Sequence, residues 1–361
     1  MGRSLKVSPG CIEQVKSAVG CNGFPSQKAL AEELEIGLST IKKFLTGQPV
    51  DYSYFLEISE RLGYEWRAIV HIDETISKPI FEETSTFITG TPITNPRYFF
   101  GRNRELKRLF DLLKRRPLQN AAIIGKRRSG KTSLLHYLKN ITNTPKELLR
   151  ADQKSDWLCN PENYRWIFVD FQDSRRQNRE GLLRYILECL KMSVPSPCDL
   201  DRFMDAVSSN LDRPTVILLD EIGVCLQRCP ELDDGFWESL RSLATNQTNG
   251  NLGFVLATPQ SPIELAKNTG HSSPFFNIFG YTAYLGALTQ AEARELIASS
   301  PVLFPDRDIE WILNQSKCWP LLLQILCRER LFSLEEGETG DDWREAGLEQ
   351  LKPFADLKSD L

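Results

Sequence analysis

Residues 125–132 read Gly125-Lys126-Arg127-Arg128-Ser129-Gly130-Lys131-Thr132, followed by Ser133 and the run LLHYL. The stretch matches G-x-x-x-x-G-K-[ST] at every fixed position. It follows the apolar tetrapeptide Ala121–Ile124 and opens a helical pattern, the strand–loop–helix setting that the motif requires. Glycines let backbone N–H groups approach phosphate oxygens without a Cβ in the way. The helix start adds unpaired donors and the positive end of a dipole. Lys131 supplies a point charge for the β- and γ-phosphates, and the Thr132 hydroxyl suits Mg²⁺. The segment from Gly125 to Ser133, with Lys126, Arg127, Arg128 and Ser129 inside it, is therefore the candidate nucleotide cradle.

Such a loop needs an acidic partner, and Val216-Ile-Leu-Leu-Asp220-Glu221 supplies one. A buried apolar strand ends there in two acids. Asp220 is the candidate magnesium ligand, through water, and Glu221 the candidate group to polarise an attacking water. Asp170, after the strand WIFV, is a weaker alternative ligand. Apolar segments at 121–124, 166–171, 216–219, 254–257 and, more weakly, 282–285 predict five buried strands. The longer helical stretches between them are the crossovers of a mainly parallel sheet. The expectation is an α/β fold, a three-layer α/β/α P-loop NTPase core. In the segment before the loop, Leu106, Leu109, Phe110 and Leu113 have amphipathic-helix spacing.

The rest of the composition narrows the class. Apolar residues make up 41% and charged residues 25%, which excludes wholesale disorder. A net charge of −4 excludes a polybasic chain, so nucleic-acid contact would need a local patch. No apolar run approaches the roughly 18 residues of a membrane span. The start MGRSLK carries no apolar core of a secretory signal, and Lys6 breaks the myristoylation pattern. Nine cysteines without repeated spacing read as reduced thiols in a cytoplasmic protein. None of the three histidines lies near the Cys225/Cys229 pair, which argues against zinc.

Domain boundaries follow from composition. Residues 1–72 read as a small helical unit, 73–97 as a Pro-, Ser- and Thr-rich linker, 98–285 as the core and 286–361 as a helical lid. Within the first unit, residues 25–64 read as helix, short turn, helix, helix. Ser26 caps the first helix, Ala31 allows close packing, Gly37 sits in the turn and Ser39 caps the next helix. Residues 1–70 hold eight bases and eight acids, so one such module makes few phosphate contacts.

Two resemblances add to this reading. The N-terminal segment resembles the helix-turn-helix of the Cro/repressor family, whose second helix enters the major groove. That resemblance implies that Ser39, Thr40, Lys42, Lys43 and Thr46 face double-stranded DNA. A protein-interaction module of the same fold is the alternative. The box Tyr98-Phe99-Phe100-Gly101-Arg102-Asn103-Arg104-Glu105-Leu106, ahead of IIGKRRSGKTSLL, resembles archaeal-type ATPases of the STAND class, relatives of AAA+ and origin-recognition ATPases. It implies that Phe100, Gly101 and Arg102 lie beside the adenine. It also implies that Thr258, at the end of the strand FVLA, senses the γ-phosphate; a simple strand cap is the alternative. YLGALTQAEARELI and SKCWPLLLQILC resemble the strand-to-lid junction and a lid segment in which Pro320 meets the base. Cys318 and Trp319 stand where the family has Gly and His.

The implied protein is an ATP-hydrolysing switch using ATP and Mg²⁺, coupled to a DNA-binding unit and working as a homo-oligomer or with a separate sensor protein. Two other functions fit the same motifs. One is an AAA+ ATPase that assembles on DNA in transposition or replication initiation. The other is a nucleotide-gated scaffold that binds no DNA.

Overall fold

The computed structural model describes residues 4–34, 36–64, 69, 86–151, 153–338 and 340–357. They form two compact units, Met1–Thr84 and Ser85–Leu361. The division falls inside the segment that reads as a linker. Residues 73–85 of it lie outside the described residues, and 86–97 belong to the second unit.

In the first unit, helices Ile12–Cys21, Gln27–Glu33, Leu38–Leu45 and Tyr52–Arg61 surround a core of Val15, Leu30, Ile41, Phe44, Phe55 and Ile58. Ser26 caps as expected, its hydroxyl accepting the Ala29 N–H at 3.2 Å. Ser39 does not cap. The next helix begins at Leu38 with Gly37 at its N-cap, and Ser39 lies in the first turn. The unit is also not purely helical: β1 (Ser4–Leu5) pairs antiparallel with β2 (Val50–Asp51). Ladders of two residues are too short to leave a periodic signature.

The second unit is built on five parallel strands, β3 (Ala121–Ile124), β4 (Arg165–Asp170), β5 (Thr215–Asp220), β6 (Leu252–Thr258) and β7 (Tyr281–Tyr284), in the order β4-β5-β6-β3-β7. Successive residues point to opposite faces. On one face Ala122, Ile124, Ile217, Leu219 and Phe254 meet the helices Arg179–Leu190, Leu200–Asn210 and Asp234–Ser242. On the other, Ala121, Ile123, Val216, Leu218 and Val255 meet Asn103–Leu113 and Lys131–Asn140. Three layers result, as expected, with the strands' carboxyl ends on one edge. There the chain leaves β3 for distant β4, a switch point where ligands of such sheets bind.

After β7, helices Gln290–Ala298, Asp306–Ser316, Pro320–Glu335 and Asp342–Leu351 form the C-terminal helical part with its own core around Ile312, Leu322, Leu326 and Trp343. Asp308, 1% exposed, is clamped there by Arg330 at 2.8 Å and Arg344 at 2.8 Å, joining three helices.

Candidate functional site

The loop between β3 and the helix Lys131–Asn140 is held by both neighbouring strands. The Gly125 N–H donates to the Thr258 carbonyl at 3.2 Å, and the Leu285 N–H donates to the Ile124 carbonyl at 2.7 Å. A Cβ at Gly125 would lie 2.5 Å from Ser129 Oγ and 2.7 Å from the Leu285 carbonyl, so no other residue fits. Gly130 has φ 93°, where side chains are strained whatever the space. The first helical bond runs from the Leu134 N–H to the Gly130 carbonyl, so the N–H groups of Lys131, Thr132 and Ser133 precede the ladder.

The loop opens onto a cleft of about 510 Å³. Arg127 through Ser133 form one wall, and Asp170, Gln172, Asp220 and Glu221 a second. Phe100, Arg102 and Pro320 line it from the box and the helical part. Gly101, Gly125, Lys126 and Thr258 are not part of its wall. Gly125 and Lys126 act through their carbonyls, which accept from Lys131 Nζ at 2.7 and 2.9 Å. Thr258 is buried, and its hydroxyl donates to the Gln260 carbonyl at 2.9 Å, the arrangement of a strand cap.

Charge in the cleft is not balanced pair by pair. Burial pushes the Lys131 ammonium's pKa down, Glu221 and Asp220 pull it back up, and Arg127 lowers it again. Asp220 is 4% exposed, and its carboxyl is pushed up to about 6. Burial is the main cause; the Thr132 hydroxyl, within hydrogen-bonding reach, opposes it, and Glu221 and Asp170 add to the rise. A buried carboxylate flanked by carboxylates favours a cation. Among the described residues no cluster of three or more His, Cys, Asp or Glu side chains meets. Mg²⁺ takes one or two protein oxygens and completes its shell with water and phosphate. Asp220 and Thr132 present such hard oxygens, so the residues fit.

The box and the helical part meet through Glu292, which sequence reasoning did not single out. Its Oε1 accepts the Arg102 N–H at 2.6 Å, and its Oε2 accepts the Thr289 N–H at 2.9 Å. The Arg102 guanidinium, 6% exposed, donates to the Gly286 and Ala287 carbonyls. The signal was present as Thr289-x-x-Glu292, the capping-box pattern that the helix realises. Cys318, ahead of the helix Pro320–Glu335, has φ 58°, a left-handed conformation that favours glycine.

Residues 86–94, also missed, cross the same cleft. Ile88 N–H donates to Gln324 Oε1 at 3.1 Å, Arg128 Nη1 to the Gly90 carbonyl at 3.5 Å, and Ile93 N–H to Ser133 Oγ at 3.0 Å. Ile88, Thr89, Thr91, Pro92 and Ile93 line the cleft. In the first unit, Ser39, Lys42, Lys43 and Thr46 are exposed and Thr40 is half-buried. Thr46 Oγ1 is occupied by the Lys42 carbonyl at 2.7 Å.

No protein-family model matches the sequence, and no curated protein matches it either. Solved structures do. The chain is similar to the Walker-type ATPase PABY2304 of Pyrococcus abyssi at 17% identity, covering 76% of this chain and 78% of that one with a TM-score of 0.52. It is also similar to the ORC2 protein of Aeropyrum pernix, solved in ADPNP–ADP complexes, at 14% identity over 76% and 74% of the two chains with a TM-score of 0.54. At these identities the likeness concerns the fold alone, the three-layer α/β/α arrangement described above.

Proposed function

We propose that this chain is an ATP-binding, slowly hydrolysing regulatory ATPase of the STAND/AAA+ type, a nucleotide-gated switch whose readout is DNA binding by the N-terminal helix-turn-helix. The observation that carries the reading is one cleft lined by Lys131, Thr132, Asp220 and Glu221, to which the phosphate loop, the acidic strand ends, the box, the helical part and segment 86–94 all contribute walls. Loop amides and Lys131 bind the phosphates, and Lys131 must give up its bonds to the Gly125 and Lys126 carbonyls to reach them. Asp220 and Thr132 hold Mg²⁺, which when bound offsets phosphate charge. Glu221 orients and polarises the water. Phe100, Arg102 and Pro320 contact the nucleoside end, so a bound nucleotide touches core and helical part together. The segment 86–94 lies against the same ligand and continues toward residue 84, which supports coupling to the N-terminal unit. For that unit, exposed Ser39, Lys42 and Lys43 on one helix support DNA contact.

The deciding measurement is ATP affinity and turnover for the wild type and Lys131→Ala, with and without Mg²⁺. The expected result is loss of binding by at least tenfold in the variant and Mg²⁺-dependent turnover in the wild type alone. Equal affinity in the two proteins overturns the site assignment.

A further inference from the structure

Residues 97–146 hold fourteen lysines and arginines against two acids, Glu105 and Asp111, within a chain of net charge −4. Some of these cations belong to the phosphate loop, and Arg102 is turned inward. The helix Asn103–Leu113 displays Arg104, Lys107 and Arg108. It buries Leu106, Leu109, Phe110 and Leu113. Helical spacing then puts Arg104, Lys107, Arg108 and Asp111 on the opposite side, and Lys114 and Arg115 extend the row; all six are exposed. Asp111 alone interrupts the stripe, and Lys114 lies 3.4 Å from it. Among the described residues no acid pairs with Arg104, Lys107, Arg108 or Arg115. At the end of the stripe, Arg116 lies 5.4 Å from the centre of the Tyr164 ring. Tyr164 lines an open groove of about 530 Å³ whose polar side chains include Lys139, Asn140 and Asn143. The groove shares no lining residue with the nucleotide cleft. Among the described residues, the exposed acids that follow the block as far as Tyr164 are Glu147, Asp156 and Glu162.

We infer that this stripe and groove form a docking surface for the sugar–phosphate backbone of duplex DNA, distinct from the N-terminal helix-turn-helix. Residues 104–115 span about 18 Å at 1.5 Å per residue. Duplex DNA carries one charge per about 1.7 Å of axis, so several phosphates lie within that length. Lys and Arg with side-chain amides are the donors that grip phosphate and sugar. A membrane surface fits less well, because no exposed large apolar side chain interrupts the stripe. The surface also supplies what the N-terminal unit lacks, since residues 1–70 carry as many acids as bases.

The test uses the full chain and a short labelled duplex of arbitrary sequence, with affinity followed by anisotropy as salt is raised. The triple variant Lys107→Ala, Arg108→Ala, Arg115→Ala removes three cations that do not line the cleft, and its ATP affinity serves as the check on folding. The expected result is duplex affinity weaker by at least about tenfold at low salt and a salt slope shallower by about 2–3. Lys42→Ala with Lys43→Ala should leave that salt-dependent binding in place. An unchanged affinity and slope in the triple variant overturns the inference. So does tighter binding of a single strand than of the duplex, which would mean that exposed bases are held instead. Loss of duplex binding in the Lys42/Lys43 variant alone removes the stripe and leaves the N-terminal reading standing.

Discussion

Two buried aspartates, Asp220 and Asp308, are 4% and 1% exposed and face opposite electrostatic surroundings. Asp308 sits among the C-terminal helices with Arg330 and Arg344 each 2.8 Å away. Asp220 ends β5 with Glu221 and Asp170 as the charges that raise its pKa. Burial of a carboxylate is therefore not in itself a sign of function. What distinguishes the two is whether the fold supplies the compensating cation. Where it does, the charge joins helices. Where burial and neighbouring carboxylates outweigh the nearby cation instead, ionisation costs stability, which a proton or a bound cation relieves.

The largest effect should come from breaking the compensated site. Asp308→Ala leaves the buried Arg330 guanidinium without its anion and Arg344 with Asp341 alone, 3.2 Å away, and a broken buried pair costs about 3–5 kcal/mol. Chemical denaturation should register a loss of that order. A loss below about 1 kcal/mol would mean that Arg330 reaches solvent and that Asp341 suffices for Arg344, and that the clamp is not structural.

Asp220→Asn should act in the reverse direction. The folded pKa of about 6 lies above the ordinary carboxyl value of 3.8, so between these pH values the folded protein binds more protons than the unfolded chain. Stability from this group is thus lost as pH rises from about 4 to about 6, and above that ionisation costs about 3 kcal/mol. The asparagine variant should be more stable than the wild type at pH 7.5, by up to that amount, and the difference should vanish near pH 4. Mg²⁺-dependent ATP binding by the wild type should weaken below about pH 6, by up to tenfold per pH unit, because the metal competes with the proton. A variant less stable than the wild type at pH 7.5 would place Asp220 with Asp308 among structural carboxylates.

The same contrast governs what could be read from the chain. The strands were legible because strands covered on both faces are continuous apolar runs, and the loop was legible because phosphate binding fixes its glycines, lysine and threonine. Segment 86–94 was hidden: its Thr and Pro composition resembles a linker, while its attachment runs through the N–H groups of Ile88 and Ile93, which any residue possesses. Ser39 misled because a serine near a helix start resembles a cap, whereas Gly37 occupies that position. The basic block at 97–146 escaped because a net charge of −4 averages it away. Arg330 and Arg344 were invisible as partners of Asp308, since the three lie on different helices and no short motif joins them.

The smallest effect belongs to Glu292, which resembles Asp308 in joining elements but does so half in solvent. Glu292→Ala removes the return arm of the capping box at Thr289 and the acceptor of the Arg102 N–H. A lost cap costs about 0.5–2 kcal/mol, and partial exposure keeps the carboxylate's contribution near the low end. Glu292→Gln retains one acceptor oxygen, enough for the Arg102 or the Thr289 N–H but not both, and should recover only part of the stability. ATP affinity separates a joint that only stiffens the fold from one that shapes the cleft. Because Arg102 lines the cleft and holds Gly286 and Ala287, loss of Glu292 should weaken ATP binding a few-fold, with glutamine restoring part of it. Unchanged affinity alongside lowered stability would make the joint a matter of folding alone, as the Asp308 clamp is.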